Sequence, residues 1–152
     1  MQINIPVATK AVVVLCLSQL MLACDTGSHT DHQIVVKKAV VVKPWTMTQQ
    51  TDKKYFSVKF TCQQQPAAGD FQVCHIMLKR GVDVVIDAKI AVDGGMTAHG
   101  HGLPTAPKLS ATDIPGHYKI DGLKFSMPGE WVIGFKVLSG QLSDQVVFTV
   151  LI

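Results

Sequence analysis

The stretch GGMTAHGHGLP, residues 94–104, sets one methionine and two histidines among four of the chain's twelve glycines. Met96 offers a thioether, and His99 and His101 offer imidazoles. A second thioether, Met127, follows in FSMPGEW. Two imidazoles with one or two thioethers suit copper, Cu(I) above all, better than zinc, magnesium or calcium, because soft donors favour soft ions. The i, i+2 spacing of His99 and His101 aims both rings to one side if the backbone is extended. Gly100 and Gly102 let the chain bend without steric cost. The same residues also read as an ordinary glycine-built turn, with Met127 packed under Trp131.

Other reactive side chains are few. Carboxylates comprise ten Asp and the single Glu130, which disfavours paired-carboxylate chemistry. No nucleophile elbow, phosphate loop or HExxH occurs, so no catalytic residue and no enzyme activity are expected. The formal charge is +3, and Lys37, Lys38, Lys53, Lys54, Lys79 and Arg80 form no basic block with interleaved aromatics, so no nucleic-acid partner is expected. His117 reads as a surface strand residue and a distant outer-ligand candidate.

The N-terminus indicates a destination. Lys10 precedes the apolar run AVVVLCLSQLMLA, residues 11–23, too short for a comfortable membrane span of about 20 residues. We read residues 1–23 as a secretory signal peptide, and Cys24 after Ala23 as a lipoprotein cleavage site whose cysteine is lipidated. Met21 and Leu22 depart from the usual Leu and small residue there. A plain secreted protein and an uncleaved anchor are the other readings. Cleavage removes Lys10, leaving +3 − 1 = +2. Residues 24–32 then form a lipidated, polar tether in which His29 and His32 are solvated. The expected location is the periplasmic side of a bacterial cell envelope, with the membrane as partner through the anchor.

Export changes the reading of the thiols. Cys16 is lost with the signal and Cys24 carries lipid, which leaves Cys62 and Cys74. In an oxidising compartment such a pair forms a disulfide, and closing that loop contributes about 3 kcal/mol in the chain-entropy model. A competing reading makes Cys62, Cys74 and His75 soft-metal ligands. Adjacent residues Cys74 and His75 point to opposite faces of a strand, which argues against it.

The scaffold that must carry these residues is β-rich. Strand-sized runs occur at 33–43, 54–62, 71–78, 84–92, 117–125, 130–138 and 144–152. Phe56, Val58, Phe60 and Cys62 alternate with Tyr55, Ser57, Lys59 and Thr61; Trp131, Ile133, Phe135 and Val137 share a face. Gly116, Gly122, Gly129 and Gly140 punctuate the C-terminal half. About seven strands over residues 33–152 predict an all-β, immunoglobulin-like antiparallel β-sandwich. The glycine loop lies between its fourth and fifth strands.

Two segments also carry a resemblance. DAKIAVDGGMTAHGHGLPTAP, followed by GHYKIDGLKFSMPGEWVIGFKV, resembles the YtkA-like family of bacterial exported proteins, related in style to FixH-type proteins. The resemblance spans about residues 85–152 and departs from the family pattern at Thr97, where a proline is common. It implies a small immunoglobulin-like domain of the cell envelope, with a link to copper or to respiratory-oxidase assembly. Carried over residue by residue, its positions of interest are Met96, His99, His101 and Met127. The functional expectation is a membrane-tethered β-domain that binds copper through a His/Met loop, in metal handling or assembly of an envelope metalloprotein. The alternative is a metal-independent interaction module that docks an envelope protein partner. Tyr118, Phe125 and Trp131 are expected core aromatics.

Overall fold

The computed structural model describes residues 42–152, all within the compact unit Ala39–Ile152. The expected signal at 1–23, Cys24, the tether with His29 and His32, and the expected strand at 33–41 lie outside the described residues. Val42 and Lys43, the end of that expected strand, are not in a strand. Among the described residues no helix is long and apolar enough to cross a membrane.

Among the described residues ten strands form, with one 3-10 turn between two of them. They are β1 (Trp45–Gln50), β2 (Ser57–Cys62), β3 (Cys74–Arg80), β4 (Asp83–Val84), β5 (Lys89–Met96), β6 (His101–Gly102), β7 (Lys108–Ala111), β8 (His117–Asp121), β9 (Glu130–Ser139) and β10 (Leu142–Leu151). The first sheet runs β1-β2-β3-β8-β7, with β4 also on β3; the second runs β10-β9-β5-β6. All these strand pairs are antiparallel. The order β2-β3-β8-β7 against β10-β9-β5-β6 matches the A-B-E-D and G-F-C arrangement of immunoglobulin-like sandwiches, with β1 added at one edge. The expected all-β sandwich is therefore the fold.

Period-two patterning builds the core. Phe56, Val58, Phe60 and Cys62 are buried from β2 and the residue before it, as are Trp131, Ile133, Phe135 and Val137 from β9. In β10 the buried positions are Asp144, Val146, Phe148 and Val150. The sheets meet where Phe60 packs edge-on against Phe135, ring centres 5.5 Å apart, and at a tilt against Phe148, 5.6 Å away. Each such fully buried aromatic contributes about 2 kcal/mol from lost apolar surface. Thr61, on the outward side of the alternation, is buried too, because its hydroxyl meets that of Thr46 on β1 at 3.1 Å. Between the sheets, Tyr118 of β8 donates its hydroxyl to the Val85 carbonyl at 2.9 Å and accepts the Ala88 N–H at 3.1 Å. That latch fixes the crossover from β4 to β5.

Among the described residues the strand count rises from the six expected over 54–152 to ten, for physical reasons. β1 was hidden because its outward residues, Thr46, Thr48 and Gln50, leave only Trp45 and Met47 as apolar signals. β7 buries little beyond Leu109. The expected strand 84–92 is shifted to 89–96, since Gly94 and Gly95 continue β5 rather than ending it. An added Cβ on Gly94 would strike the Val132 carbonyl, and one on Gly95 the His101 carbonyl. These glycines permit close strand approach.

At the far end of the sandwich, Asp144 ties β10 to the β1–β2 turn. Its carboxylate accepts the N–H groups of Lys53 at 3.1 Å, Gln145 at 2.9 Å and Tyr55 at 3.3 Å. Burial alone pushes its pKa up, but the Thr51 hydroxyl and these N–H groups outweigh it and hold the carboxyl below its ordinary value. Asp144→Ala strands three donors and should cost about 3 kcal/mol in urea unfolding with an unchanged m-value. Because the folded pKa is depressed, this contribution is fully present above about pH 4 and is lost as pH falls through the folded value. The gap between variant and wild type should therefore close in strong acid; a gap constant with pH would contradict the assignment.

Candidate metal centre at the β5–β6 hairpin

The residues singled out for chemistry lie around Trp131, at the end of the sandwich where β5 ends and β9 begins. Met96 is the last residue of β5, not part of a loop, and pairs directly with His101 of β6. Directly opposed residues of an antiparallel pair project to the same side of the sheet. Between them, Thr97–His99 form the 3-10 turn and Gly100 closes it in the left-handed region, its N–H donating to the Thr97 carbonyl at 3.2 Å. The expected extended path from His99 to His101 is thus replaced by a tight turn. The turn nevertheless brings the two rings edge to face with centres 5.9 Å apart.

His101 is the most constrained of the set. Its Nδ1 lies 2.9 Å from the Gly102 carbonyl. A carbonyl oxygen only accepts, so Nδ1 carries the proton and Nε2 keeps a free lone pair. That Nε2 is buried and has no hydrogen-bond partner. Buried acceptors left alone cost about 1–3 kcal/mol, so the arrangement is one that a ligand would relieve. An imidazole that donates one nitrogen to a backbone carbonyl has the other oriented for a metal. The ring stands edge-on to Trp131, centres 5.4 Å apart, and Trp131 stands edge-on to Phe125, also at 5.4 Å. His99, in contrast, is exposed.

The two methionines are held by their own packing. Met96 is 5% exposed, and its methyl fills the space over Gly129, where an added Cβ would collide with it. Met127 is half-buried against the core, and its carbonyl accepts the Trp131 indole N–H at 3.0 Å. The Met96 methyl is thus packed over Gly129, and the Met127 backbone ties to Trp131. Gly129 has φ of 136°, a conformation L side chains rarely adopt. Gly129→Ala should cost about 2 kcal/mol, mainly backbone strain, and displace the Met96 methyl. Thermal unfolding together with the Met96 methyl NMR shift checks this, and an unmoved methyl would contradict the packing.

A shallow depression beside the hairpin is lined by Asp93, Gly95, Met96, Thr97, His101 and Val132. Among the described residues no group of three or more His, Cys, Asp or Glu is placed to share a metal. The competing cysteine site does not form. Cys62 and Cys74 face each other across β2 and β3 and are joined as a buried disulfide, so neither offers a thiolate. His75 projects from the opposite face of β3, beside His117 of β8, with ring centres 5.7 Å apart. Burial, then His117 and then Lys59 hold the His75 pKa below the ordinary imidazole value. Sequence reasoning did not pair these two histidines, since 42 residues separate them and only the β3–β8 register joins them.

Comparison with curated proteins and with solved structures gave no match. The family model described as YtkA-like matches residues 50–135. That span begins well before the resembling segments at 85–152 and ends within β9. It takes in β2 and β3 with Cys62 and Cys74, as well as Met96, His99, His101 and Met127. A match of 135 − 50 + 1 = 86 residues covers more than half of the 152-residue chain, which belongs to the YtkA-like family.

Proposed function

We propose that this chain is an exported, lipid-anchored envelope domain that holds one copper ion at the β5–β6 hairpin. Its task would be metal handling or assembly of an envelope metalloprotein on the periplasmic side. The observation that carries this reading is the buried, unpartnered Nε2 of His101, with its lone pair fixed by the Nδ1 bond to Gly102. His101 and His99 would supply imidazole nitrogens, and Met127 and Met96 thioether sulfurs. The soft donor set suits Cu(I).

The chain's own parts divide the work. The Gly102 carbonyl sets the His101 tautomer, and Trp131 fixes the ring from below. His99 sits on a turn closed by Gly100, exposed to solvent, with its ring centre 5.9 Å from that of His101. A holder with one rigid and one exposed imidazole suits transfer to a partner better than permanent storage. Cys24, as the lipidated residue, would keep the domain at the membrane where such partners assemble.

The test is anaerobic Cu(I) titration of the full chain in detergent against a chromophoric chelator. His99→Ala with His101→Ala should lower the retained copper by one equivalent. Unchanged retention would defeat the site, and retained partner capture by that variant would favour the metal-independent module.

A further inference from the structure

The outer face of the first sheet carries a second set of soft donors. His75 and Met77 alternate along β3 on the side away from the core, between buried Cys74, Ile76 and Leu78. Met77 is directly opposite His117 of β8, and His75 is the diagonal neighbour of His117. Directly opposed side chains lie about 4.5–5.5 Å apart at Cβ, and diagonal ones remain within reach of long or aromatic groups. The two imidazole planes are 27° apart and their centres 5.7 Å apart, wider than face-to-face contact. Metal–nitrogen bonds of about 2 Å place two imidazole nitrogens up to about 4 Å apart around one ion. Each ring centre lies about 1 Å behind its nitrogen, so two imidazoles on one ion have centres up to about 6 Å apart, and the 5.7 Å spacing falls within that limit.

We propose that His75, His117 and Met77 form a second soft-cation site, selective for Cu(I), on the outer face of the first sheet. All three side chains are half-buried, so they are held by the sheet yet open to solvent on one side. The surrounding charges set the selectivity. Lys59 is opposite Met77, Lys119 is opposite His75, and Lys79 follows along β3. Asp121, the carboxylate nearest on β8, is paired with Lys119. Repulsion from these lysines grows with the charge of the bound ion, which disfavours divalent ions relative to a monovalent one. Hard ions would require oxygen donors that this cluster does not offer. Imidazole and thioether donors remain, the set that suits Cu(I). The cluster is on β3 and β8, whereas the hairpin site is on β5, β6 and β9, so the two sites can load separately.

The experiment uses the full chain in detergent. Silver(I), a soft monovalent ion without paramagnetism, is titrated while imidazole nitrogen resonances are followed by NMR in the wild-type protein. The nitrogens of His75 and His117 should shift together, at the same silver ratio. In parallel, the His99→Ala, His101→Ala chain should still retain one equivalent of Cu(I). Adding His75→Gln and His117→Gln should remove that equivalent, and Met77→Leu should weaken it. Resonances of His75 and His117 that stay still in the folded wild-type chain would overturn the proposal. So would Cu(I) retention unaffected by His75→Gln and His117→Gln. Failure of the hairpin reading looks different: His99 and His101 stay still while His75 and His117 shift.

Discussion

Replacing His99 and His101 together by alanine should abolish copper retention at the hairpin and leave folding stability within about 1 kcal/mol of wild type. The two outcomes come from one geometric fact. His101 makes a hydrogen bond to its neighbour's carbonyl and an edge contact with Trp131, but its Nε2 is buried without a partner. Removing the ring forfeits the contact and also removes the stranded acceptor, so the two terms oppose each other. His99 is exposed and contributes little to packing. A residue kept for the fold would show the reverse pattern, with a large loss of stability and no change in metal. Urea unfolding at pH 7, read beside Cu(I) retention, separates them. Sites kept for function at some expense to stability are expected where binding requires them.

Trp131→Ala should show the opposite signature, a loss of about 4 kcal/mol in folding free energy together with weakened copper binding. Trp131 is fully buried, and its ring joins Phe125 on one side to His101 on the other. Its indole N–H also anchors the Met127 carbonyl. The milder Trp131→Phe retains most of the apolar volume but strands that carbonyl and loosens the floor under His101. It should cost about 2 kcal/mol while still lowering copper affinity. Copper affinity unchanged by Trp131→Phe would mean the tryptophan supports the fold alone.

The β9 and β10 runs were legible in the sequence because their alternation is unbroken: Trp131, Ile133, Phe135 and Val137 point inward as the pattern requires. Gly94 and Gly95 misled, since a glycine pair signals a turn from composition alone. Their role appears only when the Val132 and His101 carbonyls are seen against them. Met96, His99, His101 and Met127 could be singled out by residue type and by resemblance. The orphaned Nε2 of His101 could not, because it depends on a hydrogen bond between the two residues of β6 and on the burial around them. The His75–His117 pair escaped for a different reason: only strand register brings the two residues together. Trp45 went unplaced because β1 exposes every second residue as a polar one.

The central claim concerns which atoms hold copper at the hairpin. X-ray absorption at the copper edge tests it most directly, on the full chain carrying His75→Gln and His117→Gln and loaded with one equivalent of Cu(I). The account predicts a mixed shell of imidazole nitrogen and thioether sulfur that is lost when His99 and His101 are also replaced by alanine. A shell without imidazole nitrogen, or one that survives the loss of both histidines, would contradict it.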